Sequence, residues 1–123
     1  MDNLIEQKSE AFAIRIIKLY KYLSGDKKEF VLSKQILRSG TSIGANVCEA
    51  ENGQSKKDFI SKLSIALKEA EETKYWLKLL YKTDYLNESE YNSINEDCRE
   101  IGKLLTSILK SSKNSNPSPE ATP

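Results

Sequence analysis

The sequence contains no histidine, and its 123 residues include only two cysteines, one tryptophan, one methionine and three prolines. The lack of histidine removes the commonest general base and the commonest metal ligand, so any catalysis would rely on carboxylate, lysine, tyrosine or cysteine. The two cysteines, Cys48 and Cys98, are too few for a disulfide framework and form no CxxC motif. The sequence therefore predicts no catalytic residue, no metal site and no cofactor.

Long apolar runs and a strong charge imbalance are also missing. No segment approaches the roughly 18 apolar residues that a membrane-spanning helix needs, and the first residues lack the basic and apolar parts of a signal peptide. Charged residues make up 30% of the chain but leave a formal net charge of only +1. We expect a cytoplasmic protein with no membrane partner, whose charge is unlike that of a strongly basic nucleic-acid module.

Apolar residues instead recur at the spacing of amphipathic helices. In the second predicted helix this apolar stripe starts at Phe30. No strand-like alternation of useful length occurs. The periodicity predicts four helices, over residues 4–23, 27–52, 56–83 and 88–111.

Helix starts are signalled at Ser55 and Asn87, each followed three residues later by a carboxylate. Short connections between consecutive helices favour antiparallel neighbours. The predicted fold is all-α, an antiparallel up-down-up-down four-helix bundle over residues 1–112. Residues 113–123, rich in Ser, Asn and Pro, are expected to form a disordered C-terminal tail.

Residues 38–50 of the second predicted helix contain two interior glycines. Each costs a helix about 0.5–1 kcal/mol relative to alanine, so close packing or a polar site must offset the penalty. Gly40, Gly44 and Cys48 follow one another at four-residue spacing and form a ridge of small residues. We expect another helix to pack closely on this ridge, and the alternative is a break between two shorter helices near Gly40.

A polar stripe lies beside the apolar stripe of this helix. At the helical periodicity it occupies one sector of the helix surface, and it consists of Arg38, Ser39, Ser42, Asn46 and Glu49. A solvated face would more often carry Lys and Glu than Ser and Asn, which compete with the backbone for hydrogen bonds. A solvated face and a ligand or nucleic-acid site remain alternatives, but we favour a hydrogen-bond network that is covered by the same chain or by another subunit.

Two carboxylates and the thiols allow weaker chemical interpretations. Glu69 and Glu72, three residues apart, could form half of a di-metal site. Bundles with such sites normally supply Glu-x-x-His motifs, which a chain without histidine cannot contain. We expect surface charge for Glu69, a structural ion pair for Glu72, and core packing for Cys48 and Cys98.

Charge is unevenly distributed between the last two predicted helices. Residues 55–83 contain seven lysines and four acidic residues, whereas residues 84–112 contain three basic and six acidic residues. These patches can pair within one bundle, or between subunits in a head-to-tail contact that closes into a ring. Because phosphate affinity grows with the number of cationic contacts, Lys56, Lys57 and Lys62 are candidate nucleic-acid contacts, with simple solvation as the alternative.

Residues of the second and third predicted helices resemble the signature of a known family. They are similar to the four-helix bundle proteins that are also called 23S rRNA intervening-sequence proteins or S23 proteins. Gly44 stands where many members have proline, and Ala50 stands where glycine is common. The matching segments are Arg38-Ser39, Ser42-Ile43, Asn46-Val47, Glu49-Ala50, Ser55–Phe59, Leu63–Leu67 and Ala70–Thr73.

The resemblance implies a four-helix bundle that assembles as a homopentameric ring. Some members are encoded inside insertions of 23S rRNA genes, and similar proteins serve diversity-generating retroelements, where a pentamer binds a reverse transcriptase and nucleic acid. For this chain it favours a non-enzymatic, oligomeric assembly or adaptor protein whose partners are itself and RNA or a reverse transcriptase. A purely structural protein-interaction module is the alternative, and a carboxylate-based hydrolase or metal site is a remote third.

Overall fold

The computed structural model describes residues 4–114 of the chain. In this range there is no strand, which confirms the all-α prediction, and none of the helices has the length and hydropathy of a membrane-spanning segment. Three helices start within a residue of their predicted positions, whereas the second starts at Leu32 rather than at residue 27. The four elements are α1 (Leu4–Gly25), α2 (Leu32–Glu51), α3 (Lys56–Lys82) and α4 (Glu88–Asn114).

The late start of α2 is set by Lys28 and Glu29. Lys28 has a φ of 56°, a left-handed conformation that an α-helix does not contain. The Glu29 carboxylate then accepts hydrogen bonds from the backbone N–H groups of Leu32 and Ser33, at 2.9 and 2.7 Å, which the first turn would otherwise leave unpaired. The assignment of Phe30 to the apolar stripe is therefore wrong, because this residue lies in the connection and is 53% exposed.

The starts of α3 and α4 confirm the predicted capping signals. Ser55 Oγ accepts a hydrogen bond from the backbone N–H of Asp58 at 3.1 Å. The Asn87 side chain accepts from the N–H of Glu90 at 2.8 Å, and the Glu90 carboxylate accepts from the N–H of Asn87 at 2.9 Å. This reciprocal pair is a capping box, which fixes where α4 begins.

The C-terminal boundary differs from the predicted one. α4 continues to Asn114, so the first two residues of the predicted tail 113–123 are helical. The rest of that predicted tail lies outside the described residues.

Neighbouring helices run antiparallel. In every neighbouring pair, the residue numbers of the contacts rise along one helix as they fall along the other. Among the described residues, the contacts between helices join α1 to α2, α2 to α3, α3 to α4 and α4 to α1, so α1 lies diagonally opposite α3. This is the predicted up-down-up-down bundle. The contacts that show it are Ser9–Gly44, Ile16–Gly40, Ser39–Thr73, Glu49–Lys62, Ala70–Cys98, Tyr81–Tyr91, Lys8–Glu100 and Arg15–Asp97.

The apolar stripes of the four helices meet in one core. Cys98 belongs to it as predicted: its thiol donates to the Ala70 carbonyl oxygen at 3.4 Å, and burial raises the pKa of the thiol to about 12. Cys48 is exposed, so its predicted core role is wrong; its position on α2 turns away from the bundle axis. Fully or almost fully buried core residues include Phe12, Ile16, Ile36, Ile43, Leu63, Leu77, Ile101 and Leu105.

Gly40 allows α2 to approach α1 closely. A Cβ atom at this position would lie 2.7 Å from Cγ1 and 2.9 Å from Cγ2 of the buried Ile16, which is closer than atoms in a packed interior lie. Gly44 is less crowded, because a Cβ atom there would meet the backbone oxygen of Ser9 at 3.5 Å, an ordinary contact. The helix penalty of Gly40 is thus offset by a close approach that a larger residue would prevent.

Replacing Gly40 by alanine should destabilise the protein although alanine is the better helix former. Overpacking against Ile16 costs about 1–3 kcal/mol, against a propensity gain of about 1 kcal/mol. We expect the free energy of unfolding in urea to fall by up to about 2 kcal/mol.

Gly102→Ala is the matched control in α4. A Cβ atom at Gly102 would meet nothing nearer than a Glu71 carboxylate oxygen at 4.0 Å, so the same propensity gain should stabilise that variant by about 0.5–1 kcal/mol. Equal effects of the two substitutions would show that α1 does not constrain Gly40.

Candidate functional site

The polar stripe of α2 lies along α3, and the two together form the candidate site. Because α2 and α3 are antiparallel, residues early in α2 meet residues late in α3, and Glu49 meets Lys62 at the other end. We call this surface the α2–α3 seam. It comprises Arg38, Ser39, Ser42, Asn46 and Glu49 of α2 with Lys62, Glu69, Glu72, Thr73 and Trp76 of α3.

A buried hydroxyl pair joins the two helices at the inner side of the seam. Ser39 and Thr73 are both completely buried, and their hydroxyl oxygens lie 2.9 Å apart. Thr73 Oγ1 is also 2.7 Å from the backbone carbonyl oxygen of Glu69. Each hydroxyl has one proton to donate, so two protons can serve these two hydrogen bonds, and neither buried hydroxyl is left unsatisfied.

An ionic cluster covers the outer side of the same segment. The Arg38 guanidinium donates to Glu72 at 2.5 Å and to Glu69 at 3.4 Å. The same Glu72 oxygen accepts the indole N–H of Trp76 at 3.0 Å. Arg38 is about half exposed, so this cluster lies at the surface and its two carboxylates are held by one cation from the neighbouring helix.

The cluster changes the acidity of Glu72. The hydrogen bond from Arg38, followed by the one from Trp76, holds the pKa of this carboxyl below its ordinary value. Hydrogen bonds that favour the charged form of a group always act in this direction for an acid. Glu72 is therefore a carboxylate at neutral pH and is not poised as a general acid.

Ser42 and Asn46 bond to their own helix. Ser42 Oγ donates to the Arg38 carbonyl oxygen at 2.7 Å, and Asn46 Nδ2 donates to the Ser42 carbonyl oxygen at 2.8 Å. Both residues are half-buried. The structure thus covers Ser39 completely and Ser42 and Asn46 in part, and whether a second subunit covers the remainder stays a prediction.

Glu49 has its own partner at the far end of the seam. Its carboxylate lies 2.9 Å from Lys62 Nζ. Arg38 and Glu49 are far apart along α2, and each pairs with a different part of α3. Lys56, Lys57 and Lys62 were predicted together as nucleic-acid contacts. Lys62 pairs with Glu49 in the seam, whereas Lys56 and Lys57 lie at the start of α3 with Lys113 of α4 nearby.

Two seam residues make hydrogen bonds that the sequence pattern did not predict. Thr73 and Trp76 fall on the apolar side of α3 in the sequence, yet they donate and accept hydrogen bonds in the seam. Glu69, Glu72, Thr73 and Trp76 are spaced by three, four and seven residues, which places them on one side of a helix. That spacing is the signal that could have grouped them.

The contacts of the seam hold α2 and α3 together and fix the positions of the side chains at its surface. The Arg38 guanidinium contacts the carboxylates of both Glu69 and Glu72. Within residues 4–114, no group of three or more His, Cys, Asp or Glu side chains is placed to hold a metal. The geometry is that of a structural ionic and hydrogen-bond cluster.

Acid should disrupt the ionic cluster, and Trp76 can report it because it is the only tryptophan. Since the folded-state pKa of Glu72 lies below its ordinary value of 4.5, its contribution to stability is complete above that pH and is lost as the pH falls through the lowered pKa. We expect a step in tryptophan fluorescence below pH 4.5 that Glu72→Gln removes.

Glu71→Gln is the control for this titration. Glu71 is exposed, is adjacent in sequence and pairs with Lys74 of its own helix at 3.7 Å, so its loss should leave the fluorescence step in place. An unchanged step in the Glu72→Gln variant would contradict the assignment of the titration to this carboxylate.

The fold and seam can be compared with known proteins. Residues 1–107 match the family described as 23S rRNA-intervening sequence protein. A crystal structure at 1.70 Å of a protein with unknown function, from the S23 ribosomal protein family of Bacteroides thetaiotaomicron VPI-5482, is 62% identical, covers 89% of this chain and 97% of its own, and superposes with a TM-score of 0.88. No curated protein matches the chain. With the family match extending over most of its length, the chain belongs to the 23S rRNA-intervening sequence protein family.

Proposed function

We propose that this protein is a non-enzymatic scaffold that assembles with copies of itself into a ring, and that the ring acts as an adaptor for RNA or a nucleic-acid enzyme. The observation that carries the proposal is the position of exposed apolar side chains on opposite sides of the bundle. The resemblance to S23 proteins favours five copies with RNA or a reverse transcriptase as the partner, and the matching family is described as 23S rRNA-intervening sequence protein.

One apolar surface lies on α1. Ile14 and Ile17 are 49% and 40% exposed, and residues three apart are neighbours on a helix surface. Glu10 and Lys21 flank them on the same side of α1. A solvent-facing helix side would ordinarily be polar here, so this pair of isoleucines is suited to contact another chain.

The second apolar surface lies on α3. Ile65 and Tyr75 are 37% and 53% exposed, and their positions fall within roughly 80° of each other around the helix. The Tyr75 ring centroid lies 5.3 Å from that of Trp76, which places this surface beside the α2–α3 seam. Partly covered seam residues would thus border a contact made through α3.

Because α1 and α3 lie diagonally opposite each other, the two apolar surfaces are suited to a head-to-tail contact between subunits. Single exposed apolar residues are normal on a monomer, but these two pairs face away from each other. A head-to-tail contact needs two different surfaces on each subunit, and it closes into a ring when the rotation between subunits suits. The α1 surface of one copy meeting the α3 surface of the next supplies that geometry.

The proposed contact does not depend on charge pairing between α3 and α4, and such pairing between subunits stays a prediction. The two helices are neighbours within one bundle, and no ion pair joins them among residues 4–114. Two of the α4 carboxylates instead pair with α1, Asp97 with Arg15 at 2.7 Å and Glu100 with Lys8 at 3.4 Å. The acidic part of α4 is therefore engaged inside its own chain, and the proposed assembly rests on the apolar surfaces.

Native mass measurements on surface variants test the ring. The α1 variant carries Ile14→Lys and Ile17→Lys, and the α3 variant carries Ile65→Lys and Tyr75→Lys. Each removes one half of every contact, so each should have the mass of one chain, whereas the wild type should have the mass of several. A mixture of the two variants retains a single intact contact and should give a mass of two chains.

Phe30→Lys is the control for these substitutions. Phe30 is as exposed as Tyr75 but lies in the α1–α2 connection, outside both surfaces, so this variant should keep the wild-type mass. A wild-type protein with the mass of one chain would overturn the proposed assembly. Variants that retain the wild-type mass would show that the contact lies elsewhere.

A further inference from the structure

Several lysines gather at the end of the bundle where α3 begins and α4 ends. Lys56, Lys57 and Lys113, with Ile60, line one surface groove there. The antiparallel packing of α3 and α4 brings the start of one helix to the end of the other, so residues far apart in the sequence form one basic surface. The nucleic-acid contacts predicted from the sequence were Lys56, Lys57 and Lys62, and they included no residue of α4.

The distribution of charge along α4 extends this surface. All acidic residues of α4 precede residue 101, and the later charged residues are only Lys103, Lys110 and Lys113. At helical periodicity these three fall within roughly 80° of one another, and all three are exposed. We call Lys57, Lys103, Lys110 and Lys113 the basic corner.

The lysines of the basic corner are not engaged in ion pairs within the described part of the chain. Among residues 4–114, none of its four lysines forms an ion pair, whereas Lys62, the third lysine that the sequence suggested, is 2.9 Å from Glu49. Asp97 and Glu100 of α4 face α1 instead. The corner therefore keeps a local positive charge although the chain as a whole has a net charge of only +1.

The spacing of the lysines suits a polymeric anion. Lys103 and Lys110 are two turns apart, about 10 Å along the helix, too far for one phosphate group to contact both. Successive phosphates of a nucleic acid repeat along such a surface, and affinity grows with each phosphate that is contacted. A protein partner fits less well, because lysine is depleted in the cores of protein interfaces and the groove offers Ile60 as its apolar side chain.

We propose that the basic corner binds the phosphate backbone of a nucleic acid without reading its sequence. This inference rests on the proposed adaptor function and names the surface that would contact its RNA partner. Phosphate contacts fix position and carry no direct sequence information. In an assembly, each copy would add one corner, and the number of phosphate contacts would rise with the number of chains.

The experiment measures binding of fluorescein-labelled RNA, and of duplex DNA of equal length, by anisotropy across a series of salt concentrations. The full-length wild type is compared with a corner variant, Lys103→Gln, Lys110→Gln and Lys113→Gln. The matched control is Lys27→Gln, Lys28→Gln and Lys34→Gln, which removes the same charge from exposed lysines of the α1–α2 connection and the start of α2, outside both proposed assembly surfaces. Helicity and native mass are recorded for each protein, and Lys57→Gln provides a second test should the triple variant lose helicity.

We expect wild-type affinity to fall steeply with salt. The corner variant should bind roughly tenfold or more weakly at low salt, with a log–log salt slope smaller by about 2, and the control variant should bind within about threefold of the wild type. Similar results for RNA and DNA would support backbone recognition, and binding to RNA alone would identify RNA as the source of the phosphates.

Two outcomes would overturn the inference in different ways. Equal losses of affinity in the corner and control variants would show that the basic corner is not the binding surface, although the protein would still bind nucleic acid. Absence of wild-type binding to either polymer at low salt would remove the nucleic-acid part of the proposed function as well, while the ring would still stand or fall by its native mass.

Discussion

The position of α2 depends on two adjacent residues that contact different neighbours. Ser39 is hydrogen-bonded to Thr73 of α3 inside the core, and Gly40 brings the backbone of α2 against Ile16 of α1. The hydroxyl pair specifies which residues of α2 and α3 meet, because any slip would leave a buried hydroxyl without a partner. The glycine sets the distance to α1. Together they hold α2 between two helices, and the remaining contacts are built on that placement.

The placement of α2 determines which side chains lie on the surface of the bundle. With the inner sides of α2 occupied, its polar stripe forms a surface seam that is completed by the cluster of Arg38, Glu72 and Trp76. The outer faces of α1 and α3 point away from each other and carry exposed apolar residues, which is the arrangement that a head-to-tail ring requires. At one end, lysines of α3 and α4 form the basic corner, whose lysines make no ion pair within residues 4–114. Assembly and nucleic-acid binding would thus use separate parts of one small bundle.

The sequence was sufficient for the helices and their order, because apolar periodicity and the caps at Ser55 and Asn87 are local signals. It failed at Phe30, since the start of α2 is set by the left-handed Lys28 and a forward-reaching Glu29 carboxylate, which no short motif encodes. The predicted core position of Cys48 was wrong, because helical spacing alone does not determine how far along its length a ridge of small residues packs against a neighbouring helix. The partners of Arg38, and the joining of Lys57 to α4, depend on tertiary packing between helices.

The most direct test of this placement is a double-mutant cycle on Ser39→Ala and Thr73→Val, followed by urea unfolding. If the buried hydroxyl pair joins α2 to α3, each single variant loses stability by about 1–2 kcal/mol, and the double variant recovers about 1 kcal/mol relative to the sum. Additive losses, within about 0.3 kcal/mol, would show that the two hydroxyls do not interact and that something else fixes the position of α2.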